Sequence, residues 1–159
     1  LWEGGGVQYL HIPVQDWETE QLLPYFEDCC AFIEKHRSDE GAEPKRGVLV
    51  HCHAGISRSS TVVLAYMMWK DRALRPKEGL AKVRERRRWA WPNEGFFAQL
   101  EVWSEHMRRG TNPSSTVLGP EGRPPDQNTR CLAWVGRSKA LFLMRARERA
   151  FQFDNGMLL

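Results

Sequence analysis

The chain has 159 residues, 42% hydrophobic, 27% charged and 11% aromatic, a composition that suits one globular domain with its own core and leaves no room for two. No stretch approaches the ~18 consecutive apolar residues of a membrane helix, and the four cysteines (Cys29, Cys30, Cys52 and Cys131) form neither a CxxC pair nor a zinc-ligand spacing, so no metal, no disulfide scaffold and no membrane is expected. The net charge of +3 sits outside the body: residues 1–109 carry 16 Lys/Arg and 16 Asp/Glu, residues 110–159 carry 7 and 4, and nucleic acid is therefore not an expected partner.

Sparse cysteines fit a reducing cytoplasm or nucleus. The opening LWEGGGVQYL lacks the charged start and apolar core of a signal peptide and does not begin with Met, so the natural N-terminus is expected upstream. Val7 to Val14 is β-rich and ends at Pro13 and the loop-like Gln15-Asp16, which predicts a short strand running into a loop. From Gln21 the residues Leu22, Leu23, Phe26, Cys29, Cys30 and Ile33 repeat at helical spacing. They predict an amphipathic helix to about Arg37 with both cysteines on its buried face.

After the charged loop Ser38 to Arg46, the continuously apolar Val48-Leu49-Val50 predicts a strand covered on both faces. Ser59 to Arg72 is apolar on nearly every side, the pattern of a helix buried all round. Pro76 starts another helix to about Arg88, with Leu80, Ala81 and Val83 inward. The cluster Arg84, Arg86, Arg87 and Arg88 at its end reads as a solvated face. Asn93 caps a last helix whose Phe96, Phe97, Leu100, Trp103 and Met107 pack the core. Residues 110–159 open with a Gly/Pro/Ser/Thr/Asn-rich linker to Asn128 and are expected to be a mostly disordered basic tail, with a weak helix at Leu141 to Phe151.

Chemistry concentrates in His51-Cys52-His53-Ala54-Gly55-Ile56-Ser57-Arg58-Ser59, a cysteine and an arginine separated by five residues between a predicted strand and helix. A phosphate ester needs its oxygens held by many donors at once. Backbone N–H groups of a loop wrapped from His53 through Ala54, Gly55, Ile56 and Ser57 to Arg58 form such a nest, and the helix that follows adds its positive end. Gly55 lets the loop close, and Arg58 supplies a planar two-point grip on phosphate. The same field lowers a cysteine pKa from ~8.5 to about 3.5–7.5. Cys52 is thereby an expected nucleophile, Ser59 a hydrogen-bond donor to its sulfur and His51 a support of the loop. A general acid is needed for the leaving oxygen. Asp16 is the candidate, since a neighbouring strand delivers its loop to the same sheet end; Glu18 and Glu20 compete.

Across residues 8–107 the sequence resembles the dual-specificity phosphatases of the cysteine-dependent protein tyrosine phosphatase superfamily. Three landmarks carry the likeness: Tyr9 to Asp16 (YLHIPVQD), His51 to Ser59, and Pro92 to Leu100 (PNEGFFAQL). The resemblance implies an α/β fold of the protein tyrosine phosphatase type, with a central, mainly parallel sheet flanked by helices, over residues 1–109. It implies Cys52 as nucleophile, Arg58 as phosphate clamp, Asp16 as general acid, Ser59 as the hydroxyl assisting the thiolate and Asn93 as a supporting residue. No cofactor is implied, and the substrates would be phosphoproteins bearing phosphotyrosine, phosphoserine or phosphothreonine. Ile56 and Ser57 stand where the lipid-phosphatase branch usually has Lys and Gly. Strands that normally precede the acid loop are missing from this chain, so the expectation is an N-terminally truncated domain whose strand at Val48 has one obvious partner, Val7 to Val14. The alternatives are a phosphate-recognition or scaffold fragment of the same fold and a phosphatase acting on a non-protein phosphate ester.

Overall fold

The computed structural model describes residues 8–37, 46–111, 132–137 and 157–158. In chain order the elements are β1 (Gln8–His11), a 3-10 turn at Leu23–Tyr25, α1 (Phe26–His36), β2 (Arg46–His51), α2 (Arg58–Lys70), α3 (Pro76–Arg86), α4 (Glu94–Arg109), β3 (Leu132–Arg137) and β4 (Met157–Leu158). Pro24 sits in the 3-10 turn, where its missing N–H costs nothing, and α1 follows it directly. Asn93 caps α4 by accepting from the Phe96 N–H at 2.8 Å, and Gly110 ends it in the left-handed conformation at φ 69°.

The sheet order is β1-β3-β2-β4. β3 pairs antiparallel with β1 (His11 opposite Leu132) and with β2 (His51 opposite Leu132), and β4 pairs parallel with β2. The expected mainly parallel sheet is thus corrected: two of the three described pairings are antiparallel, because β3 runs against its neighbours. β1, β2 and β4 still share one direction. The loops that leave β1 and β2 therefore emerge at the same sheet edge, the carboxyl end where open α/β sheets hold their ligands.

The partner assignment changes as well. β2 does not pair with β1; the 110–159 segment supplies strands on both sides of it. An interior strand must satisfy its N–H and C=O groups on both edges; here residues 132–137 line one edge of β2 and residues 157–158 pair with Val48 and Leu49 on the other, in place of the expected mostly disordered tail. The rest of that expectation, and the helix at Leu141 to Phe151, lie outside the described residues. Burial along β2 alternates: Val48 and Val50 are buried, with α1 and α2 in contact with the strand, whereas Leu49 is only partly buried. The expectation of two covered faces therefore holds for one.

α2 is the hub, packed against α1, α3, α4 and β2. Its residues from Ser59 to Tyr66, and Met68, are buried. Phe26 and Trp103 meet edge to face beside it, and the Trp103 Nε1–H donates to the Ala65 carbonyl at 3.0 Å. On α3 it is Gly79, not Ala81, that turns inward; a Cβ there would lie 3.0 Å from Leu64 Cδ2, so the glycine lets α3 come close to α2. Cys29 and Cys30 are buried on α1, and burial pushes the Cys30 thiol far up.

Glu34 joins α1 to α2. Its carboxylate accepts from Arg37 Nε (2.9 Å), Tyr66 Oη (2.6 Å) and Lys70 Nζ (3.0 Å). The Arg37 bond foremost, against the opposing effect of burial and with help from Tyr66 and Lys70, draws its pKa from 4.5 to about 2. The folded state holds this proton more weakly than the unfolded chain does, so the stabilisation is present above about 4.5 and lost as pH falls toward about 2. Glu34→Gln is expected to melt at a lower temperature than wild type at neutral pH, with the gap closing through that window. Thermal melts across the range check it; a gap independent of pH contradicts the assignment.

Candidate active site

The loop from Cys52 to Ser57 leaves the carboxyl end of β2 and runs into the N-terminus of α2. Gly55 takes φ +65°, a turn that L side chains adopt only with strain. Ser60 Oγ and Thr61 Oγ1, one turn into α2, donate to the carbonyls of Ile56 (2.6 Å) and Ser57 (2.8 Å) and so bind the loop's end to the helix. His53, Ala54 and Ile56 are exposed and Ser57 is buried, so the loop has an open side and an anchored side.

The Cys52 sulfur, in a residue 8% exposed, lies 3.3 Å from Ser59 Oγ. Burial alone would push this thiol up and is the largest single influence. The Ser59 hydroxyl and the backbone N–H groups of Ser59, Gly55 and Ile56 together outweigh it, and the net shift is downward from the ordinary 9.0. The amides act here because a loop that turns into a helix N-terminus presents N–H groups with no intrahelical partner. His51 stands behind, its Nδ1 3.4 Å from the Cys52 carbonyl oxygen.

Arg58 opens α2 with its side chain 11% exposed. Its Nη1 donates to the Val14 carbonyl at 3.2 Å, and its Nε, buried and without a hydrogen bond, lies 3.6 Å from Asp16 Oδ2. Asp16 Oδ1 in turn accepts from Asn93 Nδ2 at 3.0 Å. Of the three candidate carboxylates, Asp16 is the one joined to Arg58. Glu18 and Glu20 meet α4 through backbone carbonyls instead: Glu18 O abuts Gly95, and Glu20 O accepts from Gln99 Nε2 at 2.8 Å.

Asn93 connects the parts. Besides capping α4 and holding Asp16, its backbone N–H donates to Ser57 Oγ at 3.0 Å. One residue thereby fixes the acid loop, the cysteine loop and a helix start relative to one another. Two further contributors were not singled out from sequence. Gln99, buried in α4, accepts from the N–H groups of Leu22 (2.7 Å) and Leu23 (2.8 Å) and anchors the far end of the acid loop. Its signal was available as an amide on the apolar stripe of α4. Arg87 donates to the carbonyls of Gly55 and Ala54; nothing in the run of arginines distinguishes it from its neighbours.

A thiol with lowered pKa, a ring of amides and a guanidinium can bind a tetrahedral oxyanion and attack its centre. The comparison with known proteins identifies the arrangement: a family model described as the dual specificity phosphatase catalytic domain matches residues 2–106. The chain belongs to the dual specificity phosphatase family. It is 38% identical over 121 residues to dual specificity protein phosphatase Mpk3 of Drosophila melanogaster, covering 75% of this chain and 28% of that protein. It is also 38% identical over 100 residues to dual specificity protein phosphatase 1B of Arabidopsis thaliana, covering 63% of this chain and 56% of that one. Among solved structures, a mouse putative dual specificity phosphatase complexed with zinc tungstate matches with a TM-score of 0.54 and 35% identity over 64% of this chain and 60% of its own. A DUSP15 structure matches with a TM-score of 0.53 and 34% identity over 70% and 69%. The chain thus spans between 28% and 56% of the length of these two curated relatives.

In this dual specificity phosphatase domain the acid loop rests on the first turn of α4 with no space to spare. A Cβ at Gly95 would fall on the Glu18 carbonyl oxygen, and backbone cannot swing aside as a side chain can. Gly95→Ala is expected to destabilise the fold by about 1–3 kcal/mol, the usual cost of overpacking, measured by urea unfolding. A loss within about 0.5 kcal/mol, the range of neutral surface changes, would show that loop and helix are not in contact.

Proposed function

We propose that this chain is a protein phosphatase that hydrolyses phosphotyrosine and phosphoserine or phosphothreonine through a cysteinyl-phosphate at Cys52. The observation that carries the proposal is the Cys52 sulfur, 3.3 Å from Ser59 Oγ and ringed by the amides of Gly55, Ile56 and Ser59, with Arg58 and Asp16 linked beside it. The membership of the family and the names of the relatives support the substrate class.

The substrate's phosphoryl oxygens bind the loop amides from His53 to Arg58, and the Arg58 guanidinium neutralises their charge. The Cys52 thiolate attacks phosphorus. The S–P bond forms as the ester P–O bond breaks, and the electron pair of that bond goes to the leaving oxygen, which takes a proton from Asp16. Asp16, now a carboxylate, removes a proton from a water that attacks phosphorus in its turn. The P–S bond breaks, inorganic phosphate departs and the sulfur regains its negative charge, which the Ser59 hydroxyl and the amides stabilise. Asn93, bonded to Asp16 and to Ser57, holds acid and nucleophile at the distance the two half-reactions share.

A second reading, a phosphate-binding module without turnover, draws on one similar structure titled a human tyrosine phosphatase-like serine/threonine/tyrosine-interacting protein, with TM-score 0.50 and 34% identity over 58% of this chain and 57% of its own. A binder has no use for a sulfur with lowered pKa or for an acid beside the phosphate clamp, and the chain has both. Phosphate release from peptides bearing each of the three phosphoamino acids separates the readings. Wild type turns over; Cys52→Ser falls to roughly 10⁻³ of wild type or less; Asp16→Asn loses about 10²–10⁴-fold in kcat while still binding phosphopeptide. Phosphopeptide binding by wild type with no more turnover than Cys52→Ser would establish the module instead.

A further inference from the structure

The four arginines at the end of α3 do different things. Arg84 and Arg88 are exposed and lie over the Trp91 and Trp89 rings, 4.9 Å and 4.6 Å from their centroids. Arg87, half-buried just beyond the helix, turns to the cysteine loop. Its Nε donates to the Gly55 carbonyl at 2.8 Å and its Nη2 to the Ala54 carbonyl at 3.3 Å. A Cβ on Gly55 would crowd Arg87 Nη2, so the glycine admits the guanidinium as well as the turn.

A trans peptide unit is planar, with its C=O and N–H pointing in opposite directions. The Ala54 carbonyl shares its unit with the Gly55 N–H, and the Gly55 carbonyl shares its unit with the Ile56 N–H. Those two N–H groups are among the backbone amides that draw the Cys52 thiol down. A single side chain therefore grips, from outside the loop, the two peptide units whose opposite ends face the sulfur.

We propose that Arg87 is a positioning residue of the phosphatase site: by bridging the Ala54 and Gly55 carbonyls it locks the next two N–H groups inward and polarises them toward the Cys52 sulfur. The proposal rests on Cys52 being the nucleophile. A hydrogen bond to a charged donor strengthens the N–H at the far end of the same peptide unit. The role needs the planar fork of arginine, since one ammonium cannot span two carbonyls with parallel N–H bonds. Arg87 touches neither the sulfur nor the phosphate position through these bonds; it acts through the loop.

The charged and titratable groups about the sulfur come from every neighbouring element. They are His51 and His53 on either side of Cys52, Arg58 at the start of α2, Asp16 from the loop after β1 and Arg87 from beyond α3. The test holds all but the last constant. The rate of iodoacetamide labelling at the Cys52 peptide, followed by mass spectrometry against pH, is compared in wild type, Arg87→Met, Arg87→Lys and Arg84→Met. Wild type is expected to inflect well below the ordinary thiol value. Arg87→Met should move the inflection up by about one pH unit, a tenfold loss of thiolate at pH values below the wild-type inflection, and Arg87→Lys should move it up too although the positive charge is kept. Arg84→Met should leave it in place.

An unmoved inflection in Arg87→Lys, or an equal rise in Arg84→Met, overturns the inference, because either result means that general positive charge and not the bridge sets the sulfur. Should Arg87→Met fail to fold, Arg87→Lys alone decides. A wild-type inflection that is not lowered at all defeats the phosphatase reading itself, an outcome distinct from a lowered inflection that Arg87 does not influence.

Discussion

Everything at this site depends on the outward turn of a few carbonyl groups. A cysteine sulfur that is nearly buried should hold its proton more tightly than one in water, and burial is the largest influence on Cys52. The shift runs the other way because the peptide units between Ala54 and Ile56 present their N–H groups to the sulfur, with Ser59 adding both its amide and its hydroxyl. Such a loop is costly to form alone, since its outward carbonyls would lose partners on folding. The structure supplies them: Arg87 for Ala54 and Gly55, and Ser60 and the Trp91 N–H for Ile56.

The surrounding fold reads as a means of holding that loop. β2 delivers it, α2 receives it, and the burial of α2 among three other helices and the sheet keeps the receiving end from moving. The shared direction of β1 and β2 brings Asp16 to the same edge even though an antiparallel strand separates them. α4 then completes the register through Asn93, Gly95 and Gln99, which fasten three points of the acid loop to one rigid helix.

What could be read from the residues divides along physical lines. Local periodicity encodes α1 to α4 and the strand at Val48, and the chemistry of a cysteine, a glycine and an arginine in a short loop encodes the candidate site, because each depends on neighbours within a turn or two. Strand pairing does not. Leu132 sits opposite both His11 and His51, partners far away in the chain, and the six residues of β3, LAWVGR, carry too weak a pattern to announce that they enter the sheet. Ala81 and Gly79 differ for a similar reason: the face of α3 is set by how closely α2 approaches. Arg87 was hidden among arginines of identical chemistry, and only its contact with the Gly55 and Ala54 carbonyls separates it from Arg84 and Arg88, which stack on tryptophans.

The central claim is that phosphorus is transferred to the Cys52 sulfur, and trapping that adduct tests it most directly. The acidic phenol of an aryl phosphate departs without help, while in the proposed mechanism Asp16→Asn lacks the base that activates water for the second step. The account predicts that rapid acid quenching of this variant with such a substrate, followed by peptide mass spectrometry, finds the phosphoryl group on Cys52, accumulating as the phenol is released. Phenol release with no phosphorylated Cys52, or with the phosphoryl group on another residue, would contradict it.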